Sequence, residues 1–135
     1  MVDEHLPGSY GEDWDLLLRT AKVGVIAVIN RPLVSVSWSG SYFFGRWGAY
    51  ADGLTYMLQA HPEITGDRQA LARIRSQIAF ARAAASERRA GRKWAIDALK
   101  ADPRQIKAWL ALAISLRLLS TSFVVKTVQR MGKGI

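Results

Sequence analysis

The sequence predicts a mainly α-helical chain with a small two-strand element. Apolar residues recur at helical spacing over most of the chain, whereas only two short runs have the composition of strands. Half of the 135 residues are hydrophobic and 22% are charged, which is a normal balance for a globular protein. The chain contains no Cys, so disulfides and thiolate metal sites are excluded.

The first helix is predicted from about Glu12 to about Lys22. A turn bounded by glycines, residues 8–11, precedes it, and the leucines at 16–18 continue the apolar pattern. Lys22 and Gly24 are typical of a helix C-terminus, because a cation complements the helix dipole and glycine accepts the conformation that ends the helix.

The acids Glu12, Asp13 and Asp15 fall in the first turn of this helix, and two interpretations of them remain open. The helix dipole stabilises carboxylates at an N-terminus, so all three can be structural. Alternatively, one carboxylate projects into a cleft and acts as a general base toward a substrate hydroxyl.

Two short strands are predicted after this helix. Residues 25–29 are apolar and largely β-branched, and residues 33–38 alternate apolar with polar side chains. The turn that follows, residues 39–41, reads Ser-Gly-Ser. It is either a simple turn or a source of hydroxyl and backbone N–H donors for a phosphate.

An amphipathic helix is predicted from Arg46 to about Ala60, with its apolar side formed by Trp47, Tyr50, Ala51, Leu54 and Leu58. These aromatic side chains with Arg46 can stack on a sugar ring or base, or they can be core. His61, next to the end of this helix, is predicted to face solvent.

Four further helices are predicted, the first from residue 67 to about residue 89 with a break at Ala90–Gly91. The others cover residues 92–101, 104–118 and 123–131. The last is apolar along one side and basic along the other. It can dock on the preceding helices or lie on an anionic membrane, and docking is favoured.

Part of this helical tail resembles a degenerate tetratricopeptide repeat. A small residue, a closing Pro and a following Trp, Leu and small residue match that repeat: Ala98, Pro103, Trp109, Leu112 and Ala113. Arg75 and Arg82 stand where the repeat has aromatic residues. The expectation is therefore one helical hairpin with a cap, not a solenoid.

Charge is unevenly distributed in a chain whose net charge is +8. Acids concentrate in the first residues, and Arg and Lys dominate from Arg68 to Lys133. Such an asymmetry predicts an anionic partner, which can be a membrane surface, a nucleotide phosphate or nucleic acid, unless the cations are only solvated. A protein partner of the basic helical tail is a further possibility. Nucleic acid is not favoured, because no zinc-ligand spacing, ribonucleoprotein aromatic block or helix-turn-helix signature is present.

The segment Glu12-Asp13-Trp14-Asp15-Leu16-Leu17-Leu18-Arg19, with Asp3-Glu4 upstream, resembles the acceptor-side signature of bacterial family 2 glycosyltransferases. These inverting enzymes have a nucleotide-diphospho-sugar-binding (GT-A) α/β fold. The similarity covers about residues 3–44, although Val2 stands where the family has Phe. It implies that Asp13 is the general base, with Glu12 supporting it.

The resemblance also implies a division of the chain at residue 60. Residues 1–60 would be an incomplete acceptor-side segment of the glycosyltransferase core, and residues 61–135 a helical tail. Substrate-binding positions would be Trp14, Ser39, Gly40, Ser41 and Arg46. Ser39 stands where many family members have His, and a hydroxyl does not replace an imidazole as a metal ligand.

A complete family member binds a nucleotide-sugar donor, a hydroxyl acceptor and a divalent cation, Mg²⁺ or Mn²⁺. This sequence offers no ligands for that cation. Asp13-Trp14-Asp15 has the letters of an Asp-x-Asp pair but opens a helix instead of ending a strand. The chain alone is therefore expected to be inactive, in the cytoplasm or at the inner membrane face. The alternative is a non-catalytic basic helical module that binds a protein.

Overall fold

A computed structural model describes residues 6–35 and 45–130, except the side chains of Ser9 and residues 128–130. Within these residues the chain forms a 3-10 helix, Pro7–Ser9, seven α-helices and no strand, so the prediction of a mainly α fold is confirmed. The α-helices are α1 (Glu12–Val23), α2 (Trp47–Ala60), α3 (Glu63–Gly66), α4 (Arg68–Ala84), α5 (Arg88–Ala101), α6 (Ile106–Ser115) and α7 (Thr121–Arg130).

Helix α1 begins and ends close to the predicted positions. Gly11 precedes it with φ 91°, a left-handed conformation that favours glycine over residues with a Cβ. At the other end, the Gly24 N–H donates to the Thr20 carbonyl at 3.0 Å. Glycine therefore sets the start of this helix through its backbone freedom.

The predicted strand at residues 25–29 is wrong, because these residues form neither a strand nor a helix. Residues 33–35 of the second predicted strand also have no regular structure, and residues 36–38 lie outside the described part. A β-branched composition favours a strand only where another strand supplies hydrogen bonds and packing. Among the described residues, no such neighbour is present.

The predicted helix break at Ala90–Gly91 is also wrong, since α4 ends at Ala84 and α5 already begins at Arg88. The turn contains Ser86 at φ 67°, and its N–H donates to the Ala83 carbonyl at 3.1 Å. Gly91 lies inside α5, where a Cβ would come within 3.0 Å of the Ala83 nitrogen. This glycine permits close packing of α5 on α4.

Helices α4, α5 and α6 enclose one hydrophobic core, to which α7 adds Val124. Alanine dominates its buried members, so the helices approach closely: Ala79, Ala83, Ala95, Ala98, Ala108 and Ala111. Phe80 is the large side chain at the centre, and the Trp47 ring meets it edge to face at 5.6 Å. Val124 thus confirms that α7 docks on the preceding helices.

A second core joins the first half of the chain to the helical tail. Ala51 from α2 packs with Ile74, Ile78 and Ala81 from α4, and Leu18 from α1 borders the cluster. Apolar contact therefore continues across residue 60.

None of the described helices has both the length and the apolar composition that crossing a membrane requires.

Candidate functional site

Asp13, the predicted general base, lies exposed in the first turn of α1. Its Oδ1 accepts a hydrogen bond from the Trp14 backbone N–H at 2.9 Å. Glu12 is also exposed, and the Trp14 side chain is 54% exposed. The turn therefore presents two carboxylates and an indole ring to the outside of the protein.

Asp15 has the opposite environment and is completely buried. Its Oδ1 lies 2.8 Å from Nε2 of His61, which follows α2 in the chain. Its Oδ2 lies 2.9 Å from the Arg19 Nε, which is an ion-pair distance without the geometry of a hydrogen bond. Asp15 therefore fastens α1 to the turn between α2 and α3.

The prediction that His61 faces solvent is wrong, because its side chain is only 2% exposed. Its Nδ1 lies 3.1 Å from Oε1 of Glu63, so each ring nitrogen faces a carboxylate oxygen. A protonated imidazolium can donate to both oxygens, whereas a neutral ring can donate to one. No local sequence signal identifies this pairing, since Asp15 and His61 are 46 positions apart.

Lys22, in the last turn of α1, contacts both His61 and Glu63. Its Nζ lies 2.8 Å from Glu63 Oε1 and 3.5 Å from His61 Nδ1. The hydrogen bond from Lys22 is the main reason that the pKa of Glu63 falls from 4.5 to about 2. The Glu63 carboxylate is therefore more stable in the folded protein than in the unfolded chain.

Glu63→Gln is expected to flatten the acid side of the stability profile. Since the folded pKa is about 2 and the unfolded value about 4.5, the Glu63 contribution is complete above pH 4.5. It is lost as pH falls toward 2, where the carboxylate is protonated in both states. Urea unfolding from pH 6 to pH 2 should show a smaller loss of stability in the variant than in the original chain.

Glu12→Gln is the matched control for this experiment, because the exposed Glu12 has no ion pair with a described residue. It should leave the slope between pH 4.5 and 2 unchanged. An NMR titration that gives Glu63 an ordinary carboxyl pKa would contradict the prediction.

The remaining predicted substrate-binding residues are not brought together by what the structure describes. Ser39, Gly40 and Ser41 lie outside the described residues. Arg46 precedes α2, where its carbonyl accepts from the Tyr50 N–H, and its exposed side chain has an interaction of its own. Among residues 6–35 and 45–130, no three His, Asp or Glu side chains are grouped to hold a metal ion.

A cationic face on α5 was not singled out from the sequence. Four exposed cations lie along one side of the helix: Arg89, Arg92, Lys93 and Lys100. The half-exposed Ile96 lies on the same side. None of the four forms an ion pair with a described acid, whereas Arg82 on α4 is paired with Asp52 at 2.6 Å. We call these four residues the α5 cationic face.

An open cleft of about 500 Å³ lies between the α4–α5 turn and the α6–α7 turn. Arg88 and Arg117 line it together with the hydroxyl-bearing residues Ser86, Ser120 and Thr121. The Ser120 Oγ accepts from the Phe123 N–H at 3.2 Å, so it already caps α7. The two guanidinium groups add to the positive charge at this end of the helical tail.

Comparison of the chain with protein-family profiles, with curated proteins and with solved structures found no match in any of the three.

Proposed function

We propose that this chain is the acceptor-side part and helical tail of an inverting glycosyltransferase, in which Asp13 is the general base. The main support for the proposal is the different burial of two carboxylates in the first turn of α1. Asp15 is buried and bonded to His61, while Asp13, two residues earlier, is exposed. The buried contact holds the helix, so the backbone that carries the exposed carboxylate has a defined position.

In this reaction Asp13 accepts the proton of an acceptor hydroxyl. The hydroxyl oxygen forms a bond to the anomeric carbon of the donor sugar as the bond from that carbon to the diphosphate oxygen breaks. The nucleoside diphosphate leaves with the electron pair, and the configuration at the anomeric carbon is inverted. An exposed carboxylate can perform the proton transfer if the hydroxyl comes within hydrogen-bond distance.

The exposed Trp14 side chain supports an acceptor site at this position, because an indole ring provides an apolar face for a sugar. The donor requires other elements. A nucleotide-binding sheet and cation ligands are not present among residues 6–35 and 45–130. We therefore propose that transfer depends on a nucleotide-binding unit joined to this segment, and that the chain alone does not turn over.

Asp13→Asn is expected to reduce sugar transfer by about 10²- to 10⁴-fold, because it removes the general base. The test uses a polypeptide that joins this segment to a nucleotide-binding unit, with a panel of nucleotide-diphospho-sugars and measured release of nucleoside diphosphate. Binding of the donor should be unchanged.

Asp97→Asn, on α5, is the control and should transfer normally. Full turnover by the Asp13 variant would remove Asp13 from the mechanism. Absence of transfer by the unsubstituted polypeptide with every donor would count against the proposed function itself.

The second candidate is a non-catalytic module that binds an acidic protein. The unpaired cations of the α5 cationic face favour it, because they form a continuous positive stripe on a helix whose other side is fixed in the core. The apolar side of α5 is packed in the core, so in this fold it is not presented to a bilayer.

A fluorescent peptide of about 20 glutamates is a suitable probe for this candidate. Charge reversal at Arg89, Arg92 and Lys93 should weaken binding at least about tenfold, because it makes attractive contacts repulsive. Reversal of three exposed cations elsewhere, Arg31, Arg73 and Lys126, should have a smaller effect. Equal losses from both triple variants would show that net charge alone is responsible.

A further inference from the structure

The most exposed apolar surface of the described chain lies at residues 23–34, which we call the apolar segment. Val25 is 97% exposed, Val23 89% and Val28 86%. Four more large apolar side chains in this segment are at least 40% exposed: Ile26, Ile29, Leu33 and Val34. Single exposed apolar residues are ordinary, but seven within twelve positions indicate a surface that a partner covers.

The area of this surface limits how strong a contact it can make. With about 100 to 120 Å² for each fully exposed side chain, the seven residues expose roughly 500 to 600 Å² of apolar area. Two such surfaces in contact would remove at most about 1,000 to 1,200 Å² from water, the lower limit for a specific protein interface. That limit is reached only if the whole apolar segment is covered in both copies. A strand pairing confined to residues 24–30 covers four of the seven side chains, so the association between two copies is expected to be weak.

The backbone of the apolar segment indicates the kind of contact. Between residues 25 and 35, the backbone hydrogen bond formed among described residues is that from the Arg31 N–H to the Ile29 carbonyl at 2.9 Å. Among the described residues, most N–H and C=O groups of residues 25–29 therefore have no backbone partner, and a further strand could pair with them. A hydrocarbon interior could not satisfy these groups, so a bilayer is a less favourable partner than another strand.

We infer that residues 24–30 pair with the same residues of a second copy of the chain as antiparallel strands. The sequence Val25-Ile26-Ala27-Val28-Ile29 is nearly symmetric about Ala27. A two-fold axis at Ala27 would place Val25 opposite Ile29 of the second copy, and Ile26 opposite Val28. Such cross-strand pairs of β-branched residues are favourable. Because both copies use the same surface, the assembly stops at a dimer.

The ends of the paired segment are compatible with this arrangement. Helix α1 precedes it, and Pro32 follows it, where the missing N–H would end a ladder. The charge of Lys22 is matched by Glu63 within the same copy at 2.8 Å.

The net charge of +8 opposes association, so the dimer should become stronger as salt screens the repulsion.

The test is sedimentation velocity of the chain from about 5 to 200 µM, a range that detects micromolar association. The expected result is a reversible monomer–dimer equilibrium that shifts toward the dimer in higher salt. Val28→Lys should raise the dissociation constant at least about tenfold, because it places a charge in a desolvated contact. Ala27→Pro should act similarly by removing a central N–H donor.

Ile106→Lys is the matched control, since Ile106 is 73% exposed at the start of α6 and the same charge is added. It should leave the dissociation constant unchanged. Hydrogen exchange should show protection of the amides at residues 25–29 that increases with protein concentration and is lost in Val28→Lys.

Three outcomes would overturn the inference. One is a chain that stays monomeric over the whole concentration range. The second is a dimer that both segment variants leave intact, because the contact would then lie elsewhere. The third is a monomer that binds anionic phosphatidylserine vesicles and loses this binding in Val28→Lys, because the segment would then contact a membrane.

Discussion

Replacing Asp15 with Ala is expected to lower the free energy of unfolding by about 3 kcal/mol, because it leaves the buried His61 imidazole without its hydrogen-bond partner. Asp15 is fully buried, and its two oxygens face His61 at 2.8 Å and Arg19 at 2.9 Å. Without the carboxylate, the buried imidazole loses its main partner and α1 loses its link to the α2–α3 turn. Urea unfolding followed by circular dichroism measures the effect.

Asp13→Ala is the appropriate control, because it removes an exposed carboxylate from the same turn and should change stability by no more than about 0.5 kcal/mol. The pairing itself can be tested with His61→Gln and the double variant. If Asp15 and His61 stabilise the fold through each other, the double variant should lose less than the sum of the single losses. Additive losses would show that they act independently.

Replacing Phe80 with Ala is expected to destabilise the protein by about 3 to 5 kcal/mol, because it leaves a cavity in a core that cannot close completely. Phe80 is 2% exposed and is the largest fully buried side chain of the described residues. It packs among alanines of α4, α5 and α6, and its ring contacts Trp47 from α2. The loss should therefore appear in the cooperative unfolding of all these helices.

Phe123→Ala provides a control with the same chemical change at a side chain that is 60% exposed. Its effect on stability should be within about 0.5 kcal/mol, because little apolar area is buried there. A small effect at Phe80 would mean that the core can collapse around the missing ring. Separate unfolding transitions for α2 and for the tail would contradict the continuous packing between them.

Helix positions were the most predictable part of this fold. Three local signals predicted them: the Gly-bounded turn before Glu12, the apolar periodicity of α2 and the Ser at position 120. Each acts through hydrogen bonds or packing between residues close in the sequence. The predicted apolar side of α2 is confirmed, with Ala51 completely buried. Such predictions succeed because 3.6-residue periodicity determines which side chains share a face.

The incorrect predictions concern properties that depend on distant residues. A β-branched run at residues 25–29 does not become a strand without a partner, and Gly91 packs against Ala83 and Ser115 instead of breaking a helix. The environment of His61 likewise depends on α1. The resemblance to glycosyltransferases, the role of Asp13 and the cation of that family stay predictions.

The sequence by itself determined that this protein is mainly helical, basic toward its C-terminal side and acidic at the start of α1. Periodicity and charge are properties of the chain that any packing retains. Only the tertiary structure decided that Asp15 is buried against His61 while Asp13 is exposed, and that the apolar segment has no partner within the described chain. The reason is that burial of a side chain is set by which distant elements pack over it, and adjacent residues do not encode this.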